Sequence, residues 1–130
     1  VSTEFRIEGT AVVGILSFYD ELNRVFMAGE SWTLGPSLDA LDDMLYGGYG
    51  ALHGLEGARV VWTDHAASRH ALGRSETIAH HRSKLDRPGT FNAERARSAI
   101  ADLEAGTGST YFDTVLEIFE SHPRIELVLA

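Results

Sequence analysis

The sequence predicts an α/β protein, a three-stranded parallel sheet packed with helices, on three observations. Ala58-Arg59-Val60-Val61-Trp62-Thr63 is a β-branched and aromatic run of strand length. Phe112, Val115, Leu116 and Phe119 repeat at i, i+3, i+4, i+7, the pattern of a well-buried helix. Helical stretches separate the 58–63 run from two further strand-like segments, and a parallel neighbour needs such a long crossover.

Phe5 and Ile7, followed by the turn residues Gly9-Thr10, predict a first strand that ends at the glycine. Ser17 with Asp20 three residues later predicts a helix start, and Phe18, Leu22, Val25 and Phe26 continue at helical spacing to an end near Gly29. Ser37 is the expected N-cap of a short second helix carrying Leu38, Leu41 and Leu45, with Gly47-Gly48 placed to terminate it. Gly50, Gly54 and Gly57 loosen the chain before the 58–63 run, which becomes the central strand. From Ser68 to Leu103 the chain is rich in Arg, Ala and His. Pro88-Gly89 divides this region, and Ala93, Ala96, Ile100 and Leu103 give a thin apolar stripe before Gly106 and Gly108. Ile125 to Leu129 is a nearly continuous apolar run after Pro123, which suits an interior strand. One domain, 1–130, is expected, in the order strand, helix, helix, strand, helices, strand.

Composition narrows the function. With no cysteine among 130 residues there is no disulfide, thiolate ligand or cysteine nucleophile, which suits a reducing compartment. The first residues, Val1 to Arg6, mix acidic and basic side chains without an apolar run, so no export signal is read there. No stretch of roughly eighteen apolar residues occurs, so no transmembrane helix is expected. The net charge of -8 is uneven. Residues 1–64 carry ten acidic and three basic side chains, residues 65–104 five and seven, and residues 105–130 four and one. This balance opposes a nucleic-acid backbone and favours a basic partner, or else serves solubility alone.

Asp39 and Asp43 lie four apart, so a helix projects both carboxylates from one face with Asp42 beside them. Hydrolysis by paired carboxylates needs two groups on opposite sides of a substrate, and calcium needs about six to eight oxygen ligands. Docking of a cationic partner asks only for exposed carboxylates. Six histidines raise a metal reading, but His80-His81 diverge by about 100 degrees in a helix and no H-E-x-x-H pattern occurs, so surface histidines on an Arg-rich segment are expected. No G-x-S-x-G elbow is present, and Gly47-Gly48-Tyr49-Gly50 follows a helix rather than opening one. The expectation is a protein without catalysis, cofactor or metal. A small hydrolase would need a deep pocket of convergent acids.

Phe5-Arg6-Ile7-Glu8-Gly9 leads into the helix of Phe18, Tyr19, Asp20, Glu21 and Leu22. Leu34-Gly35-Pro36-Ser37-Leu38-Asp39-Ala40-Leu41-Asp42-Asp43-Met44-Leu45 follows, and Val115-Leu116-Glu117-Ile118-Phe119 precedes a closing Ile125-Glu126-Leu127-Val128-Leu129 strand. With the Val60-Val61-Trp62 strand, these segments resemble the barstar family, small cytosolic proteins that inhibit extracellular bacterial ribonucleases of the barnase type. In that family the acidic helix and the loop before it plug the ribonuclease active site. The resemblance implies that Asp39 and Asp43 match the key helix aspartates, that Leu34, Gly35 and Leu38 match contact positions, and that Gly47 matches a glycine at the far end of the surface. Asp42 stands where a tryptophan is common, Thr33 and Leu34 where the family has two tyrosines, and Ser37 where it has an asparagine. Glu120 lies in the region of a further acidic contact, with Ser121 at the matching position.

The implied function is an intracellular ribonuclease inhibitor, an immunity protein or antitoxin. Its expected partner surface is Leu34, Gly35, Leu38, Asp39, Asp42, Asp43, Gly47 and Glu120. The expected partner is a cationic ribonuclease, with no nucleic acid or membrane, and the free chain is expected to be a cytoplasmic monomer. The alternative is a barstar-like interaction module with a non-nuclease partner, bound through the basic insertion at about 74–108. That insertion is longer than the family's equivalent and is expected to be dispensable for folding.

Overall fold

In a computed structural model describing residues 3–87 and 92–130, three strands pair in parallel in the order β1 (Thr3–Glu8), β2 (Ala58–Thr63), β3 (Ile125–Leu129). Six α-helices are present among the described residues: α1 (Ile15–Phe26), α2 (Leu38–Tyr46), α3 (His65–Ala71), α4 (Arg74–Leu85), α5 (Ala93–Glu104) and α6 (Tyr111–Glu120). Both crossovers are helical, as parallel pairing requires. Pro88-Gly89, the expected divider of the insertion, lies outside the described residues.

The register places Ile7, Trp62 and Leu129 in one row and Glu4, Arg59 and Glu126 in another. Because successive side chains alternate across a sheet, these rows point to opposite faces. Ile7, Val60 and Trp62 share one buried cluster with Phe18, Leu22 and Phe26 of α1, Leu41 and Leu45 of α2, and Phe112, Val115 and Phe119 of α6. The other face carries exposed Glu4, Arg6, Arg59 and Glu126, with Arg59 Nε 3.0 Å from Glu126 Oε2. Among the described residues, helices therefore cover one face only. β3, expected in the interior, is an edge strand in which only Ile125 is buried. Leu127 and Leu129 pack half-exposed against the core at this edge, while Val128 lies beside Val61 on the open face.

Two helix starts differ from expectation. α1 begins at Ile15 and not at Ser17, whose hydroxyl instead reaches back to accept the Val13 and Gly14 N–H groups at 2.8 and 3.0 Å. A serine with an acid three residues on fits either position, since its oxygen satisfies orphan N–H groups from both. The Ile15 N–H donates to Glu76 of α4 at 2.7 Å, a partner 61 residues away that no local pattern reveals. α4 itself has almost no apolar stripe. It is fixed by polar contacts, with Thr77 Oγ1 accepting the Tyr111 N–H at 2.8 Å and donating to the Gly73 carbonyl at 2.6 Å.

These contacts narrow the expectation that all of 74–108 is dispensable. The first turn of α4 belongs to the body, because it completes the starts of α1 and α6. The rest packs as a hairpin in which Ala96, Ile100 and Leu103 of α5 are buried apart from the main cluster. Thr77→Val keeps the shape but removes the acceptor, leaving the buried Tyr111 N–H without it. The expected loss is about 2 kcal/mol in denaturant unfolding, the scale of an unsatisfied buried donor. An unchanged midpoint would show that the contact contributes nothing.

Candidate functional site

The site is built on α2 and the loop before it. Ser37 is the N-cap as expected: its backbone is extended and its hydroxyl accepts the Ala40 N–H at 3.0 Å. Gly47 ends the helix in the left-handed conformation at φ 82, and a Cβ there would run into the Arg124 guanidinium. That guanidinium is held by the Leu45 and Leu55 carbonyls at 2.9 and 2.8 Å. Leu41, Met44 and Leu45 are buried, so the helix rotation is fixed and the opposite face is turned outward.

The outward face carries Asp39, Asp42, Asp43 and Tyr46, spaced i, i+3, i+4, i+7. Asp39 and Asp43 are exposed, and Tyr46 is 68% exposed, one of the largest apolar surfaces left open among the described residues. Asp42 is only half-exposed and is held by His122, whose Nε2 lies 2.7 Å from Asp42 Oδ1. The His122 ring is itself buried and meets the Tyr46 ring edge-on at 4.5 Å between centroids. His122 thus sets both the Asp42 carboxylate and the Tyr46 ring. Glu120 is exposed at the end of α6, two residues before this histidine.

The remaining expected contact residues are placed differently. Leu34 is buried, and Asn23 of α1 clamps its backbone, accepting the Leu34 N–H at 2.7 Å and donating to its carbonyl at 3.3 Å. It anchors the loop and offers no side chain to a partner. Leu38 packs half-buried against the core, and Gly47 serves the helix end. Gly35 is exposed. The aspartates are therefore brought together, while Leu34, Leu38 and Gly47 support them.

Aromatic groups that sequence reasoning missed stand around this stripe. Trp32 is 45% exposed and packs on Tyr49 at 4.7 Å between ring centroids. Burial, followed by the Asp43 carboxylate, pushes the Tyr49 phenol above its usual range. Tyr46 was legible from its spacing to Asp39, Asp42 and Asp43. His122 was not, since it is 80 residues from Asp42.

A groove of about 610 Å³ runs between the starts of α1 and α2 and the face of α4. Leu16, Pro36, Leu38 and Asp39 line one side, and His80, Ser83, Lys84 and Arg87 the other. It holds no opposed pair of free acids, because Glu76 in its lining is engaged by the Ile15 N–H. The buried carboxylate of Glu21 is likewise spent: burial alone raises it, but Arg24 and the Glu8 N–H outweigh this and hold it low. Among the described residues, no group of three or more His, Asp or Glu side chains is placed to hold a metal ion.

His80 and His81 are half-buried rather than on the surface as expected, and the His80 ring packs edge-on against Tyr111 at 5.4 Å. Burial and the Lys84 ammonium lower both imidazoles. A base whose folded pKa is depressed takes up protons more readily when unfolded, so stability is full above the unfolded value of about 6.5 and falls as pH drops below it. Thermal unfolding at pH 7.5 and 5.5 is expected to show a loss on acidification that His80→Gln reduces. An equal loss in the variant would contradict the assignment to His80.

Comparison with protein-family models, with curated proteins and with solved structures finds none that matches the chain.

Proposed function

We propose that the chain inhibits a cationic ribonuclease of the barnase type, inserting the exposed face of α2 into the enzyme's phosphate-binding cleft. The observation that carries this reading is the stripe of Asp39, Asp42 and Asp43 with Tyr46, held outward by a helix whose other side is fully packed. A ribonuclease must be cationic where it holds the scissile phosphate, so a protein that fills that site must be anionic there. Carboxylates steer the encounter, and once desolvated against Arg or Lys they hold the complex. Tyr46 and Trp32 add rigid aromatic area of the kind that anchors interfaces. The parallel three-stranded order β1-β2-β3 agrees with the architecture that the resemblance to barstar implies.

In this reading the protein protects the cell that makes the nuclease and acts in the cytoplasm before the enzyme is exported. No helix among the described residues is long and apolar enough to cross a membrane. The second reading, an interaction module with a non-nuclease partner, is favoured by one observation: the segment that forms α4 and α5, longer than the family's equivalent, brings Lys84 and Arg87 to one side of the groove. Stopped-flow association with a barnase-type ribonuclease separates the two. Binding that slows steeply with added salt supports inhibition, because the stripe is exposed and screening acts over about 10 Å at 0.1 M salt. No binding to the ribonuclease at low salt would leave the second reading.

A further inference from the structure

The two edges of the sheet are finished differently. At one end of β2 the Ala58 N–H donates to the Arg124 carbonyl at 3.1 Å, and at the other the Ala130 N–H donates to Trp62 at 2.9 Å, so the even-numbered residues along β3 bond inward to β2. Successive residues of a strand turn their backbone groups to opposite sides, which directs those of Leu127 and Leu129 and the Ile125 carbonyl out from the edge. The Ile125 N–H is used, donating to the His122 carbonyl at 2.9 Å, but the Leu127 and Leu129 groups meet no partner among the described residues. The β1 edge is closed by α1: Glu21 Oε2 accepts the Glu8 N–H at 2.7 Å, and Arg24 donates to the Arg6 carbonyl at 3.5 Å. We propose that the open β3 edge is where two copies of the chain pair, β3 lying antiparallel to β3 about a two-fold axis at Leu127.

In that register each Leu127 exchanges both backbone hydrogen bonds with its counterpart, and each Leu129 N–H donates to the Ile125 carbonyl of its mate. The side chains match too. On the helix-covered face Leu127 meets Leu127 and Leu129 meets Ile125, so leucines that are half-exposed in the single chain leave water. On the open face Glu126 stands opposite Val128 and not opposite its own copy, while its carboxylate stays on Arg59 at 3.0 Å. A strand from another protein would need the same features, an apolar row on both faces with its acid already paired, and β3 itself supplies them. Pairing of β3 with β1 would have to displace Glu21 and Arg24 and would repeat without closing, whereas β3 with β3 closes after two copies. This departs from the monomer expected on sequence grounds, because an apolar run does not report which of its backbone groups a neighbouring strand leaves open.

Sedimentation velocity on the full chain, over a concentration series at about 0.15 M salt, tests this. The wild-type chain is expected to pass from monomer to dimer as concentration rises. Val128→Glu sets an acid opposite Glu126 twice across the axis and is expected to weaken pairing by roughly tenfold or more. Val128→Lys, at the same half-exposed position, is expected to pair at least as well as wild type, since it meets Glu126 as an opposite charge. Leu127→Pro keeps the ladder to β2, because the N–H it removes points outward, and is expected to stay monomeric with its circular dichroism retained. If Leu127→Pro does not fold, the Val128 variants decide alone. Val128→Glu pairing like wild type, or both Val128 variants losing pairing alike, would overturn the proposal, as would a wild-type chain that stays monomeric throughout, which would leave the edge to a strand of another protein. None of Asp39, Asp42 and Asp43 lies on this edge, so the outcome is independent of the inhibitor reading.

Discussion

Replacing Trp62 by alanine is expected to destabilise the fold by about 4 kcal/mol, within the general range for truncating a buried tryptophan. Trp62 is fully buried on the central strand, stacked on Phe18 at 5.5 Å and meeting Phe112 edge-on at 5.2 Å. Its indole N–H donates to Ser68 Oγ at 2.9 Å, and that hydroxyl donates in turn to the Gly9 carbonyl at 2.9 Å. The substitution therefore leaves a cavity joining three elements and removes a buried hydrogen-bond partner as well. A domain of this size is typically stable by about 5–15 kcal/mol, so a large share of the folded population's margin disappears. In a thermal melt the midpoint is expected to fall by roughly 15 °C. Trp32→Ala is the contrast: with its ring half in water it is expected to cost less than about 1 kcal/mol. Equal losses at the two positions would mean that the core is not centred on Trp62.

The second large effect is on binding. If α2 enters a cationic cleft, Asp43→Ala strands the Arg or Lys it faced, and affinity for the ribonuclease is expected to fall by about 3 kcal/mol, more than a hundredfold. Fold stability is expected to hold or to rise by a few tenths of a kcal/mol, since the like charges of Asp39 and Asp43 repel in the free chain. His122→Ala distinguishes positioning from contact. It removes the group that sets Asp42 and Tyr46, so affinity is expected to drop although His122 is buried and cannot reach the partner.

Much of this fold was legible because its signals are local. The spacing of Phe112, Val115 and Phe119 defined α6, Ser37 and Gly47 bracketed α2, and the 58–63 run is the central strand. What was not legible rests on polar contacts between distant residues. α4 has almost no apolar stripe, and Glu76 and Thr77 hold it through the backbones of Ile15 and Tyr111. β3 read as interior because an apolar run does not report which of its faces a helix covers. At the site, the aspartates followed from helix spacing alone, whereas the demotion of Leu34 to a buried strut depends on Asn23, and the control of Asp42 and Tyr46 depends on His122. Sequence spacing identifies which side chains share a face, but only packing decides which face meets solvent.

The most direct test of the central claim is inhibition of a barnase-type ribonuclease by the purified chain, compared with its Asp39→Ala and Asp43→Ala variants at one ionic strength. Wild type is expected to abolish RNA cleavage at near-stoichiometric amounts. Each variant, folded as judged by its unfolding midpoint, is predicted to need more than a hundredfold higher concentration, as expected for a stranded charge pair of about 3 kcal/mol. Variants that inhibit as well as wild type, or a wild-type chain that leaves cleavage untouched in excess, would contradict it.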